Sequence, residues 1–116
     1  MREIGNIVVD LSFEFALSII SFSEQLEEKR KFVISKQILR SGTSIGANIR
    51  EAQNAESKAD FIHKLKIAAK EAEEVEYWLL LCQFSDNYPN TESLRAKLIS
   101  IKKLLSKIIA TSKKSN

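Results

Sequence analysis

Residues able to do chemistry are few in this chain. His63 is the single histidine, and Asp60 stands three positions before it. A carboxylate and an imidazole at that spacing share one helix face, as in di-iron carboxylate bundles. Such a centre needs a second pair and further inward glutamates, which one histidine cannot supply. A histidine-assisted nucleophile would rest on His63 alone, which falls opposite the apolar stripe of its segment and reads as solvent-facing. Cys82, the only cysteine, cannot form an internal disulfide and continues an apolar stripe, as a small buried hydrophobe does. The acidic run "KEAEEVEYW", residues 70–78, has the spacing of neither a metal loop nor a catalytic pair. "RSGTSIGANIREA", residues 40–52, carries two of the three glycines. A Walker-type phosphate loop needs a lysine and a hydroxyl residue directly after its last glycine, and neither follows Gly46. The inventory points away from an enzyme and implies no metal and no cofactor.

The elements that would position these residues follow from periodicity. A chain of 116 residues fits one domain with a real core. Turn signals cluster at "EEKRK", "NAESKAD" and "SDNYPNTES", dividing it into four segments of helical length. Val8, Leu11, Phe15, Ile19, Phe22 and Leu26 recur at three- and four-residue steps in the first. Ile34, Ile38, Ile45, Ile49 and Ala52 do so in the second. The third runs Phe61, Leu65, Ala68, Ala72, Val75, Leu79 and Cys82, and the fourth Leu94, Leu98, Ile101, Leu105 and Ile108. Ser57 and Asp60 have capping-box spacing, and Asn90 or Thr91 can cap the last segment. The spacing predicts helices over about 6–28, 32–55, 58–84 and 91–111, with Lys113 and Lys114 in a frayed end. The expected fold is all-α, an antiparallel up-down-up-down four-helix bundle.

Gly42 and Gly46 bear on that packing. The apolar phase continues through both, so the second helix should be unbroken, and each glycine costs it about 0.5–1 kcal/mol relative to alanine. Close approach of a neighbouring helix would offset that cost.

Surplus hydrophobics suggest a partner. Val9, Phe13, Ala16, Leu17 and Ile20 form a second stripe on the first helix, and Ile67, Trp78 and Leu81 share a line on the third. Two such stripes in water would make the kind of patch that marks an interface, so self-association is expected. Glu76 lies at the edge of the buried arc of the third helix, where Arg40, Arg50 or the rim of Gln37, Ser41 and Asn48 could pair with it.

Charge is uneven. The net formal charge of +3 divides into −3 over residues 1–30, +2 over 31–56, −1 over 57–84 and +5 over 85–116. A basic last quarter suits nucleic acid or an acidic partner. No apolar run is long enough to span a membrane, "MREIGNIVVDLSFEF" lacks the pattern of a secretion signal, and one cysteine fits a reducing cytoplasm.

"ISKQILRSGTSIGANIREAQNAESKADFIHKLKIAAKEAEEVEYWL", residues 34–79, strongly resembles the 23S ribosomal RNA intervening-sequence proteins, which are four-helix bundles. The accessory variability proteins of diversity-generating retroelements are similar. "NIVVDLSFEFALSI" matches more loosely, so the resemblance covers most of residues 6–84. It implies a bacterial, non-enzymatic bundle assembled as a ring-like homopentamer. For the retroelement relatives it implies a scaffold for a reverse transcriptase and nucleic acid.

The expected function is therefore a homo-oligomeric scaffold binding RNA or DNA weakly and without sequence preference. Arg95, Lys102, Lys103 and Lys107 would supply contacts, joined by Lys36, Arg40 and Arg50 on the second helix. Its rival is an adaptor for another protein, which would receive a partner helix at the Gly42/Gly46 groove or along the first helix.

Overall fold

A computed structural model of the chain describes residues 4–115, with side chains from Ile7 onward. Residues 1–3, part of the stretch read above against a secretion signal, lie outside it. Four helices follow one another: α1 (Ile4–Glu28), α2 (Phe32–Ala52), α3 (Lys58–Gln83) and α4 (Glu92–Lys114). They form an all-α four-helix bundle, a rod of 50 × 23 × 22 Å. Helix α1 packs on α2 and α4, α3 packs on the same two, and α2 and α4 stand at opposite corners.

Each end has a local cause. At the end of α1, Lys31 N–H bonds to Leu26 C=O at 2.8 Å and Arg30 N–H to Glu27 C=O at 2.8 Å. This is a Schellman arrangement with Arg30 at φ 64°, a left-handed position that glycine fills most cheaply. Helix α2 stops at Ala52 rather than 55 because Gln53, Asn54 and Ala55 each bond three residues back, a 3₁₀ tightening of the last turn. Ser57 Oγ accepts from Asp60 N–H at 3.0 Å, and the Asp60 carboxylate accepts from Glu56 N–H at 3.2 Å. That is a capping box shifted by one residue on its return leg. At α4, Asn90 Oδ1 accepts from Glu92 N–H at 2.7 Å, whereas Thr91 Oγ1 accepts from Arg95 Nε. Helix α4 then continues to Lys114, where terminal lysines complement the helix dipole.

The four apolar stripes meet in one core, with Phe15, Ile19, Ile38, Ile45, Ile49, Leu65, Leu79, Leu98, Ile101 and Leu105 all but sealed from solvent. The α1–α2 seam is lined by small residues. A Cβ built at Gly42 would stand 2.7 Å from Ile19 Cγ1, and one at Gly46 3.2 Å from the backbone carbonyl of Ser12. Further along, Ser23 and Ser35 hydroxyls stand 2.5 Å apart, and Ser35 Oγ donates to Ser23 C=O at 2.9 Å. The groove left by the two glycines is thus filled by α1 of the same chain. What stays open to a partner is a recess of about 130 Å³ beside Gly46, lined by Val9, Phe13, Thr43 and Ala47 among others.

Charged side chains fasten the other seams. Arg40 reaches across from α2 to Glu71 at 2.9 Å and to Glu74, and Lys64 pairs with Glu51 at 3.0 Å. Lys102 of α4 bonds to Glu73 at 2.9 Å and Glu76 at 3.1 Å. Glu76 therefore finds its partner on α4, not on α2, because its side of α3 faces α4.

Candidate nucleic-acid and self-association surfaces

The seven candidate cations do not form one patch. Lys36, Arg40 and Arg50 lie on α2, while Arg95, Lys102, Lys103 and Lys107 lie on α4, diagonally across the bundle. Arg40 is committed to α3, where Glu74 and then Glu71 hold its guanidinium even more firmly charged than usual. Lys102 is held likewise, by Glu73 first. Half-buried Arg95 turns its Nε to Thr91 at 3.1 Å. Those three cations serve the fold, and a phosphate would have to compete with carboxylates or Thr91 for them.

Lys103 and Lys107 are different. Both are exposed, and no acidic partner meets either among the described residues. Because α4 continues to its last lysines, Lys114 joins them within about 40° on the helical wheel, at 100° per residue. Exposed Ala96, Ser100 and Ala110 share that arc, so little bulk stands between the ammonium groups and an approaching backbone.

The bundle adds a second row that periodicity alone did not single out. The Lys102 pairs with Glu73 and Glu76 fix the α3–α4 register. Away from them, numbering falls along α3 and rises along α4, so Lys70 lies level with Lys107 and Lys66 level with Ala110. Lys103, Lys107 and Lys114 stand about 100–140° round α4 from Lys102, on the side away from α3. Both α3 lysines are exposed and lie one turn apart. The only acid within residues 57–70 and 103–114 is Asp60, whose carboxylate is engaged in capping α3. Lys66 and Lys70 read as ordinary surface charge in sequence, since only the register sets them level with residues of α4.

The apolar candidates divide as well. Phe13, Leu17 and Ile20 on the outer face of α1 are 54%, 53% and 42% exposed, and Leu81 is 38% exposed. Val9 and Trp78 pack instead against the core. Ile67 is half-buried, between Lys64 and Glu71, which both pair with α2. The line of Ile67 and Trp78 therefore faces the α2–α3 seam and is not an outward stripe. Trp78 Nε1 donates to Glu74 at 3.1 Å; this bond first, and Arg40 second, hold the Glu74 carboxyl below the usual carboxylate range. Sequence reasoning passed over Phe32, Val33 and Phe84, which are 50%, 77% and 81% exposed. They flank turns, out of phase with any stripe. Between α1 and α4 lies an open groove of about 570 Å³ lined by Leu11, Glu14, Leu17, Ser18, Lys97, Ser100 and Ile101.

His63 is exposed, and among the described residues no group of three or more His, Cys, Asp or Glu side chains could hold a metal. Cys82 is buried, and desolvation pushes its thiol up to about 11, far from the thiolate a nucleophile requires. No helix among the described residues is long and apolar enough to cross a membrane.

A family model for the 23S rRNA-intervening sequence protein matches residues 5–107. The chain is also similar to a crystal structure of a protein of unknown function from the S23 ribosomal protein family of Bacteroides thetaiotaomicron. The TM-score is 0.88 and the identity 51%, over 93% of this chain and 99% of that one. No curated protein matches the chain.

Proposed function

From the premise that the chain belongs to the 23S rRNA-intervening sequence protein family, we propose a non-enzymatic, homo-oligomeric scaffold that binds RNA or DNA weakly and without sequence preference through α4. The observation that carries this reading is the row of Lys103, Lys107 and Lys114 on the solvent face of α4. Each exposed cation without an internal partner that neutralises a phosphate releases a counterion condensed on the nucleic acid, which is the source of non-specific affinity. One row of three binds weakly. Copies joined through Phe13, Leu17 and Ile20 would present several rows at once and raise avidity without a new kind of contact. A homopentamer is the assembly we assign, in the cytoplasm, with a reverse transcriptase as a further partner on the retroelement resemblance. Sedimentation velocity on the full chain, with fluorescence anisotropy on a labelled RNA hairpin at low salt, tests the proposal. Expected are an oligomer at micromolar concentration and binding that Lys103→Glu with Lys107→Glu abolishes. A monomer would refute the scaffold, and unaltered binding by the double variant would refute the α4 site.

A second reading has one observation in its favour. Phe32, Val33 and Phe84 stand well exposed near two turns, and Lys29 and Lys31 tie those turns together through Asn87 and the Tyr88 ring. A protein-interaction adaptor would use that end of the bundle. Pull-down of a bacterial protein that is lost with Phe84→Ser and kept with Lys103→Glu would favour it.

A further inference from the structure

Resting on the self-association proposed above, we infer that the outward stripe of α1 docks on the outward stripe of α2 in a neighbouring copy of this chain. Phe13, Leu17, Ile20 and Glu24 fall within about 60° on the wheel of α1, and Lys36, Leu39, Thr43, Ala47 and Arg50 within about 80° on that of α2. Both stripes are turned from the core and flank the α1–α2 seam, where the recess beside Gly46 is lined by residues of each. Their chemistry is complementary. Helix α1 carries five acids and no lysine or arginine, and exposed Phe13, Leu17 and Ile20 make its stripe bulky. The α2 stripe holds no acid, has a cation at each end and keeps small Thr43 and Ala47 between them.

Register decides between the possible contacts. Within the chain Ser23 meets Ser35, Ile19 meets Gly42 and Ser12 meets Gly46, which fixes the heights of α1 and α2. A rotation axis along the bundle keeps two copies level and lays α1 antiparallel on the neighbour's α2. Glu24 then meets Lys36, Ile20 meets Leu39, Leu17 meets Thr43 and Phe13 meets Ala47, with Arg50 at the Asp10–Glu14 end. Charges attract at both ends, and Phe13 and Leu17 face smaller side chains. An axis across the bundle would lay α1 on α1, with Asp10 against Glu24 wherever Leu17 meets Leu17, and like charges opposed in an interface are costly. Helix α4 fits no better as the receiving surface. Lys97 Nζ donates to Ser18 Oγ at 2.9 Å, which sets Lys103 level with Ser12 and Lys107 with Val8, clear of Glu24. The α1–α2 contact serves twice when two copies pair and once per neighbour when a ring closes. It turns Lys36 and Arg50 to a neighbouring copy and leaves the α4 lysines open to phosphate.

Sedimentation velocity of the full chain over a dilution series tests this with Glu24→Lys and Lys36→Glu, alone and mixed. Both residues are exposed, and neither has a hydrogen-bond or ion-pair partner among the described residues; unchanged far-UV circular dichroism shows that the variants fold. Alone, each variant sets like charges against one another between copies and should raise the association midpoint by about 10-fold or more. Mixed in equal amounts, the two variants bring opposite charges together again, and the midpoint should return to within about 3-fold of that of the unaltered chain. A pairing inside one chain cannot be restored by mixing, so recovery identifies the contact as one between copies. An oligomer that neither variant weakens, or that mixing does not restore, overturns the inference while self-association stands. An unaltered chain that sediments as a monomer at micromolar concentration overturns both.

Discussion

Replacing Gly42 by alanine sets two effects of known sign against each other. In a helix interior alanine is favoured over glycine by about 0.8–1.0 kcal/mol, so an open site would be stabilised. The site is not open. The new Cβ would lie 2.7, 2.8 and 3.0 Å from Cγ1, Cγ2 and Cδ1 of Ile19. Carbon atoms attract best at about 3.5–4.0 Å, so all three contacts fall well inside repulsion. Cγ1 and Cγ2 are bonded to the Ile19 Cβ and move only if χ1 turns, which is stiff in a β-branched residue sealed in the core. The helices must move apart or Ile19 must leave its rotamer, overpacking that costs about 1–3 kcal/mol. Repulsion from three atoms places the cost in the upper part of that range, for a net loss of about 1–2 kcal/mol. Far-UV circular dichroism at fixed protein concentration should record a fall in Tm of roughly 4–8 °C. The mechanism is isolated in an Ile19→Ala background. There the clash is gone, and Gly42→Ala should become stabilising by about 1 kcal/mol. Gly46 offers an internal contrast, since its nearest atom is 3.2 Å away; strain and propensity should nearly cancel in Gly46→Ala. A rise in Tm for Gly42→Ala in the native background, or no change of sign with Ile19→Ala, would refute the reasoning.

Four further outcomes are expected. Arg30→Gly should stabilise by about 0.5–1 kcal/mol, because the left-handed Schellman position ceases to carry a side chain; a chemical melt measures it. On the proposed self-association, Phe13→Asp or Leu17→Asp should give a monomer where the unaltered chain sediments as an oligomer, with helical content intact. The depressed pKa of Glu74 contributes stability that is present above its unfolded value and lost as pH falls through the folded one. Glu74→Gln should therefore flatten the acid limb of a stability–pH profile by under about 1 kcal/mol, since the pair is partly solvated, with Trp78 fluorescence as the local readout. Cys82, buried with a thiol at about 11, should react with a disulfide reagent at neutral pH only at the rate of bundle opening.

Much of the fold was legible in the residues, because a helix core face repeats every 3.6 residues and leaves its period in the chain. Ile38, Ile45, Ile49, Leu65, Ala68, Ala72, Val75, Leu79, Leu98, Ile101 and Leu105 are all buried. The continuity of α2 through Gly42 and Gly46 was legible for the same reason: an interruption would have shifted the phase. The ends were harder to place, as at Ala52, because their stopping points depend on hydrogen bonds outside the periodic pattern.

What only the tertiary structure decided is which flank faces which neighbour. Sequence placed Glu76 at the edge of the core but offered it α2; packing gave it Lys102 of α4. Ile67 and Trp78 looked outward on a wheel and lie at the α2–α3 seam, because the angular width of a buried face depends on how many helices share it. Arg40 and Lys102 read as surface cations until carboxylates on α3 met them. A helical wheel fixes angles within one helix. Register and neighbour identity arise between helices, where no single segment carries the information.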